Sequence, residues 1–286
     1  MRARKLLSAF VLSLLCVSFV FIIARHIPLG NAIPIKQDNA ALNEVFQDIE
    51  AAFVVTDRNK NQYIRYNPSR CQQRFSPHST FKIPNSLIAL ETGVIKNENV
   101  VVAYNRDQHP PEAWWPVEWQ NPQNMRSAIK YSVIWFYQEI AKKVGKAQYQ
   151  KYLKQFQYGN QDIFGDIEQF WLGSSLQISP NEQVEFLKQF YNGKLSISNR
   201  TTNIVKDILV LEKNNDYKLS GKTGSGKTAC ASPANNCNTI SWFVGYLEKT
   251  DNVYFFATNL EGNAQEVSSK KRIALTKQAL AKLGII

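Results

Sequence analysis

Apolar residues recur every three to four positions in some stretches of this chain and alternate in others, and the change of period separates its elements. Asp38 to Ile49 has helical periodicity. Ala52 to Asp57 and Gln62 to Tyr66, joined across Arg58-Asn59-Lys60-Asn61, form a predicted β-hairpin. Ser79 to Glu91 carries Ile83, Leu87 and Leu90 at helical spacing and ends at Gly93, so a helix is expected to start near Ser79. Asn97 to Asn124 is loop-rich, with Pro110, Pro111, Pro116 and Pro122 among Trp114, Trp115 and Trp119. Such aromatic loops cap a helical lobe or wall a cleft. Met125 to Val144 is predicted as one helix stopped by Gly145, followed by a second from Lys146 to Phe156. Ser179-Pro180-Asn181-Glu182 is a capping box with proline at the first helical position, opening a helix to about Tyr191. Thr201 to Leu211 is expected to be helical as well.

Beyond it the period shortens. Asp216 to Ser220 extending through Lys222, Thr239 to Glu248, and Asn252 to Leu260 read as strands whose short connections make them antiparallel. Ser268 to Leu283 closes the chain as a helix. The fold class is therefore α/β of the α+β type: a central antiparallel sheet flanked by N- and C-terminal helices, with an inserted all-helical lobe. The expected boundaries are an α/β lobe of about 33–91 and 205–286 around a helical lobe of about 92–204, in one domain of 33–286.

The first residues depart from this pattern. Arg2, Arg4 and Lys5 precede an uncharged apolar run from Leu6 to Ala24, the form of an export signal, and Gly30-Asn31-Ala32 supplies small residues for cleavage after Ala32. Residues 1–32 are thus expected to be a signal peptide that delivers the protein to the periplasm, an uncleaved anchor being the alternative. Cleavage takes away four of the 34 basic residues and none of the 23 acidic ones, leaving a charge of about +7. The basic residues are scattered through helices rather than clustered with aromatics, which points away from nucleic acid and toward an anionic small substrate. Export permits a disulfide, and Cys230 with Cys237 are the pair close in sequence; Cys71 is left as a buried free thiol. No histidine lies near Cys230 or Cys237, so no metal site is expected.

The candidate chemistry begins at Ser79-x-x-Lys82. A serine and a lysine three apart on a helix share a face, and a desolvated lysine can take the proton that keeps a serine hydroxyl from acting as a nucleophile. The same spacing occurs at Ser127-x-x-Lys130 and Ser268-x-x-Lys271 in helical stretches that read as solvated faces. Pro77, Phe81 and Pro84 distinguish the first. His78 beside Ser79 suggests a Ser-His pair, but neighbouring side chains diverge, and it reads as a bystander. Gly221 to Thr228 matches the phosphate-binding pattern G-x-x-x-x-G-K-[ST] letter for letter, yet Ala229 to Asn236 cannot supply the helix whose N-terminus would face a phosphate.

The same residues contain Lys222-Thr223-Gly224, a strand segment where glycine admits a ligand close to the backbone. Ser79-x-x-Lys82, Ser132-Val133-Ile134 and Lys222-Thr223-Gly224, in that order, are similar to the motif set of penicillin-recognising serine enzymes. With Ser79-Thr80-Phe81-Lys82, Tyr158-Gly159-Asn160, Phe170-Trp171-Leu172 and Arg272, nearly all of the chain after residue 32 resembles the class D β-lactamases, the oxacillinases. Ile134, where the class commonly has valine, and Gly173-Ser174-Ser175 after the tryptophan depart from the pattern.

The resemblance implies a β-lactamase/transpeptidase-like fold and a serine hydrolase that opens the β-lactam ring through an acyl-enzyme. Ser79 is then the nucleophile, and Lys82, carrying CO2 as N6-carboxylysine in a pocket of Phe81, Ile134 and Trp171, is the general base. Backbone N–H groups of Ser79 and Ser225 form the oxyanion hole, Ser132 relays the proton to the leaving nitrogen while Lys222 sets the electrostatics around it, and Thr223, Gly224 and Arg272 bind the substrate. No cofactor other than CO2 and no metal is implied, and monomer and homodimer are both open. A β-lactam sensor that acylates without turnover and a cell-wall transpeptidase are the alternatives.

Overall fold

The computed structural model describes residues 40–228 and 237–286. Six strands form one antiparallel sheet in the order β2-β1-β6-β5-β4-β3, where β1 is Glu50–Asp57, β2 Gln62–Tyr66, β3 Val210–Lys213, β4 Lys218–Lys227, β5 Thr239–Glu248 and β6 Val253–Gly262. Five of the strands, all but β3, fall where the sequence pattern predicts them.

Its central strands are buried on both faces, and their side chains sort by parity, as the pleat requires. On β5, Trp242, Val244 and Tyr246 enter the larger core, while Phe243 and Leu247 enter the smaller one on the opposite face. The smaller core is covered by α1 (Ala40–Phe46) and α7 (Ser269–Lys282). The larger is filled from α2 (Lys82–Glu91), α3 (Met125–Lys130), α4 (Ile134–Phe156) and α5 (Pro180–Tyr191), with Val205 of α6 (Asn199–Ile208).

Helix α2 is buried from Lys82 to Leu90, so its polar residues need internal partners. Helix α4 supplies them: Tyr149 Oη donates to Asn85 Oδ1 at 2.7 Å, and the hydroxyls of Ser86 and Tyr137 are 2.9 Å apart. Helix α5 starts at the expected capping box, with Ser179 and Glu182 each accepting from the other's backbone N–H, and packs on β1, β5 and β6.

Four expectations need correction. Helix α1 ends at Phe46 rather than Ile49, because Glu50 already pairs with Glu261 in the sheet. Ser79 does not begin an α-helix: His78–Phe81 is a 3-10 turn, and the α-helix begins at Lys82, with Pro84 tolerated in its first turn. The continuous helix predicted from Met125 to Val144 is broken at Tyr131-Ser132-Val133, where Ser132 has a left-handed φ of 60°. The break is held from outside by the Trp119 indole N–H, which donates to the Tyr131 carbonyl at 2.8 Å. The helix predicted to Leu211 stops at Ile208, and Val210–Lys213 becomes the edge strand β3 on β4. The break at Gly145 falls where expected, with φ 75°.

Candidate active site

The 3-10 turn that carries Ser79 is fixed by its neighbours. Thr80 N–H and Oγ1 both donate to the Pro77 carbonyl, and Gln183 of α5 donates to Thr80 Oγ1 at 3.0 Å. This turn leads directly into α2, so Lys82 stands at the first helical position and its Nζ donates to Ser79 Oγ at 2.9 Å. Ser79 is half-buried and Lys82 is 1% exposed. Burial first, and the charge of Lys222 second, hold the Lys82 ammonium well below the usual lysine range.

Aromatic rings cluster around Phe81, beside Lys82 in the chain. Phe81 stacks on Trp171 at 5.5 Å between centroids and meets Phe170 and Tyr158 edge-on. Ile134 is half-buried at the start of α4, packed on the larger core. One turn further on, Tyr137 presents its ring to Lys82 Nζ at 5.3 Å, a contact the motif pattern did not flag. Its only sequence signal is position, three residues beyond Ile134 on a helix.

Lys222 approaches from β4. Its Nζ donates to Ser132 Oγ at 3.0 Å and to the Thr223 carbonyl at 2.9 Å. The break at Ser132 is what releases that serine from a helix face to meet the strand. Burial, then the charge of Arg272, push the Lys222 pKa down to about 7. Arg272 lies on α7, 6% exposed, donates through Nη1 to Ser241 Oγ, and keeps Nε without a partner. Burial pushes it down to about 10. Among the described residues no ion pair forms with Lys82, Lys222 or Arg272. Three buried basic groups without a carboxylate form a site suited to an anion.

Strand β4 runs flush against the serine turn. A Cβ on Gly224 would lie 2.9 Å from the Pro77 carbonyl oxygen and 3.0 Å from Thr80 N, so only glycine fits there. Ser225 follows, exposed, and Thr223 is half-buried on the wall of a cavity of about 390 Å³ shared with Gly221 and Lys222. The phosphate-loop spelling has no loop geometry: Gly221 to Lys227 is extended and paired residue by residue with Gly245 to Thr239.

Two further anchors hold the Trp171 loop, Ser76 outside the motifs and Asn160 within Tyr158-Gly159-Asn160. Ser76 Oγ donates to the Trp171 carbonyl at 2.9 Å and accepts from Gly173 N–H at 2.8 Å, tying the tryptophan loop to the serine turn. Asn160 closes the neck of that loop, its side chain accepting from Gln177 N–H and donating to the Ser175 carbonyl, while Tyr158 is fully buried. Cys71 is a buried free thiol that donates to the Tyr66 carbonyl, and burial pushes it up to about 12. Cys237 is disulfide-bonded; Cys230, its expected partner, lies outside the described residues.

The penicillin-binding protein transpeptidase domain matches residues 42–281. The β-lactamase OXA-48 of Klebsiella pneumoniae is 37% identical over 274 residues, covering 95% of this chain and 98% of that protein. The crystal structure of a class D β-lactamase from Sebaldella termitidis superposes with a TM-score of 0.79 at 38% identity, covering 87% of this chain and 98% of that one. The regulatory protein BlaR1 of Bacillus licheniformis is 37% identical over 234 residues, which are 82% of this chain but 37% of that protein.

Proposed function

The chain belongs to the class D serine β-lactamases, and from that premise we propose that it hydrolyses penicillin-like antibiotics through an acyl-enzyme on Ser79, with Lys82 as the base. The observation that carries the reading is the buried Lys82 amine at 2.9 Å from Ser79 Oγ. A lysine held neutral can take the serine proton as Oγ attacks the lactam carbonyl. Backbone N–H groups of Ser79 and Ser225 stabilise the oxyanion, and Gly224 brings β4 close enough to the serine turn for both to act on one carbonyl. Ser132, hydrogen-bonded to Lys222, passes a proton to the leaving lactam nitrogen. Thr223 and Arg272 hold the substrate carboxylate, and Gly224 lets the substrate lie against the strand.

The Lys82 pocket fits a carbamate. Tyr137 faces the amine; Phe81, next to Lys82 in sequence, stacks on Trp171; Ile134 sits at the start of the helix that carries Tyr137; and carbamate forms only from neutral amine, which burial favours. With CO2 bound, Lys82 supplies a carboxylate-type base for acylation and for the deacylating water. Trp171 contributes an indole N–H to hold it.

Export to the periplasm is part of the proposal and rests on residues 1–32, which lie outside the described residues. Among the described residues no helix is long and apolar enough to cross a membrane. Two measurements test the function together. Fluorescent penicillin is expected to label the protein and to fail on Ser79→Ala, and a chromogenic cephalosporin is expected to be turned over many times. Labelling that survives in Ser79→Ala refutes the site. A single turnover, with the label retained, assigns the chain to the sensor type that BlaR1 represents.

A further inference from the structure

His78 looks like a bystander in sequence, and its surroundings say otherwise. It holds a left-handed φ of 47°, costly for a residue with a Cβ, and its side chain is buried at 4% exposure. No side-chain hydrogen bond from it is found among the described residues, so contact shape is what the ring offers. On one side lies Gly226 of β4. A Cβ there would fall 2.1 Å from His78 Cε1, 2.4 Å from Nδ1 and 2.7 Å from Nε2, so the imidazole lies flat over bare backbone. Gly173 is also near, where a Cβ would stand 3.8 Å from the same Cε1. Gly173 is itself hydrogen-bonded to Ser76 in the Trp171 loop. The ring of the serine turn therefore fills the space over the strand of Lys222 and lies near the loop of Trp171.

The position on β4 matters. Gly224 and Gly226 are two apart on a strand and face the same side, toward the turn. Gly224 abuts Pro77 and Thr80, and Gly226 abuts His78, so β4 is pinned to the serine turn at two points that bracket Ser225. One contact sets a distance; two set a tilt. Strand β3 pairs only with Lys218, Leu219 and Ser220, so around Ser225 β4 is held along one edge by β5 and against the serine turn by these two contacts. Burial, then the charge of Lys82, push the ring pKa down to about 4, which keeps it uncharged beside the lysine at neutral pH.

We propose that His78 is a positioning residue whose imidazole, seated over Gly226 and near Gly173, sets with β5 the tilt of β4 against the Ser79 turn and thereby the aim of the Ser225 N–H at the reacting carbonyl. The inference rests on the β-lactamase reading for the role of Ser225.

The test is a mutant cycle read by the rate of Ser79 acylation with fluorescent penicillin and by steady-state turnover. Gly226→Ala forces a methyl into the ring and is expected to slow acylation at least about tenfold, on the scale of a misaimed oxyanion donor. His78→Ala leaves the strand unsupported and is expected to cost about as much, mostly in kcat, with free imidazole restoring part of the rate. The double variant His78→Ala/Gly226→Ala puts the methyl where the ring was and is expected to acylate at least about tenfold faster than Gly226→Ala alone. Losses that multiply in the double variant, or His78→Ala acylating at the wild-type rate, overturn the proposal. Thermal melting of each variant separates rate from folding; if Gly226→Ala does not fold, recovery of a folded, labelled double variant supports the same steric pairing, and an unfolded double variant opposes it. Acylation is measurable even in a chain that does not turn over, so absence of hydrolysis refutes the function and leaves this cycle readable.

Discussion

Lys82 Nζ meets Ser79 Oγ at 2.9 Å from within a side chain that is almost fully enclosed. An ammonium so placed lacks water and, among the described residues, lacks a carboxylate, so the neutral amine is the favoured form. Neutral amine is the form that combines with CO2. Turnover is therefore expected to fall several-fold after thorough CO2 removal near neutral pH and to return on adding bicarbonate, with a carbamate signal in carbon-13 NMR. Trp171→Ala is expected to need more bicarbonate for the same rate. Turnover indifferent to bicarbonate, with no carbamate signal, makes Lys82 an unmodified base.

Arg272 and Lys222 share a site in which neither is ion-paired among the described residues, and the arginine's charge is one cause, after burial, of the low Lys222 pKa of about 7. Arg272→Ala is expected to raise KM for carboxylate-bearing β-lactams at least about tenfold with a much smaller change in kcat, because the carboxylate is bound alike in ground and transition states. The same substitution removes a repelling charge, so Lys222 holds its proton to higher pH. The alkaline limb of kcat/KM is then expected to move upward in pH in Arg272→Ala. A pH profile of both proteins checks the direction, and an unchanged KM removes Arg272 from the carboxylate site.

His78 links acidity to stability. Its folded pKa of about 4 lies below the ordinary histidine value, so as pH falls from about 6.5 the unfolded chain gains a proton that the folded chain refuses. The unfolded state then binds more protons, and stability declines with falling pH until the folded ring also titrates near pH 4. The loss across that window is at most about 3 kcal/mol. Urea unfolding at pH 7 and pH 4.5 is expected to show a smaller difference for His78→Gln than for the wild type, and equal differences refute the assignment.

Sequence alone determined what depends on neighbours along the chain. The capping box at Ser179 and Glu182, the β1-β2 hairpin, the antiparallel strands and the Ser79-x-x-Lys82 spacing are local, because caps, turns and side-chain periods act within a few residues. Tertiary structure decided where local preference yields to partners far away. Tyr131-Ser132-Val133 continues a helical pattern, yet the Trp119 indole takes the Tyr131 carbonyl and Lys222, ninety residues on, takes the Ser132 hydroxyl. Val210 and Leu211 extend a helical period, yet the open edge of β4 pairs Val210 with Ser220, and after an irregularity at Leu211 the ladder continues through Glu212 and Lys213. Gly221 to Thr228 spells a phosphate loop, but pairing with β5 holds it extended through Lys227. The identity of His78 is plain in the sequence, while the slot that gives its ring a use is made by two glycines from a strand and a loop that only folding brings to it.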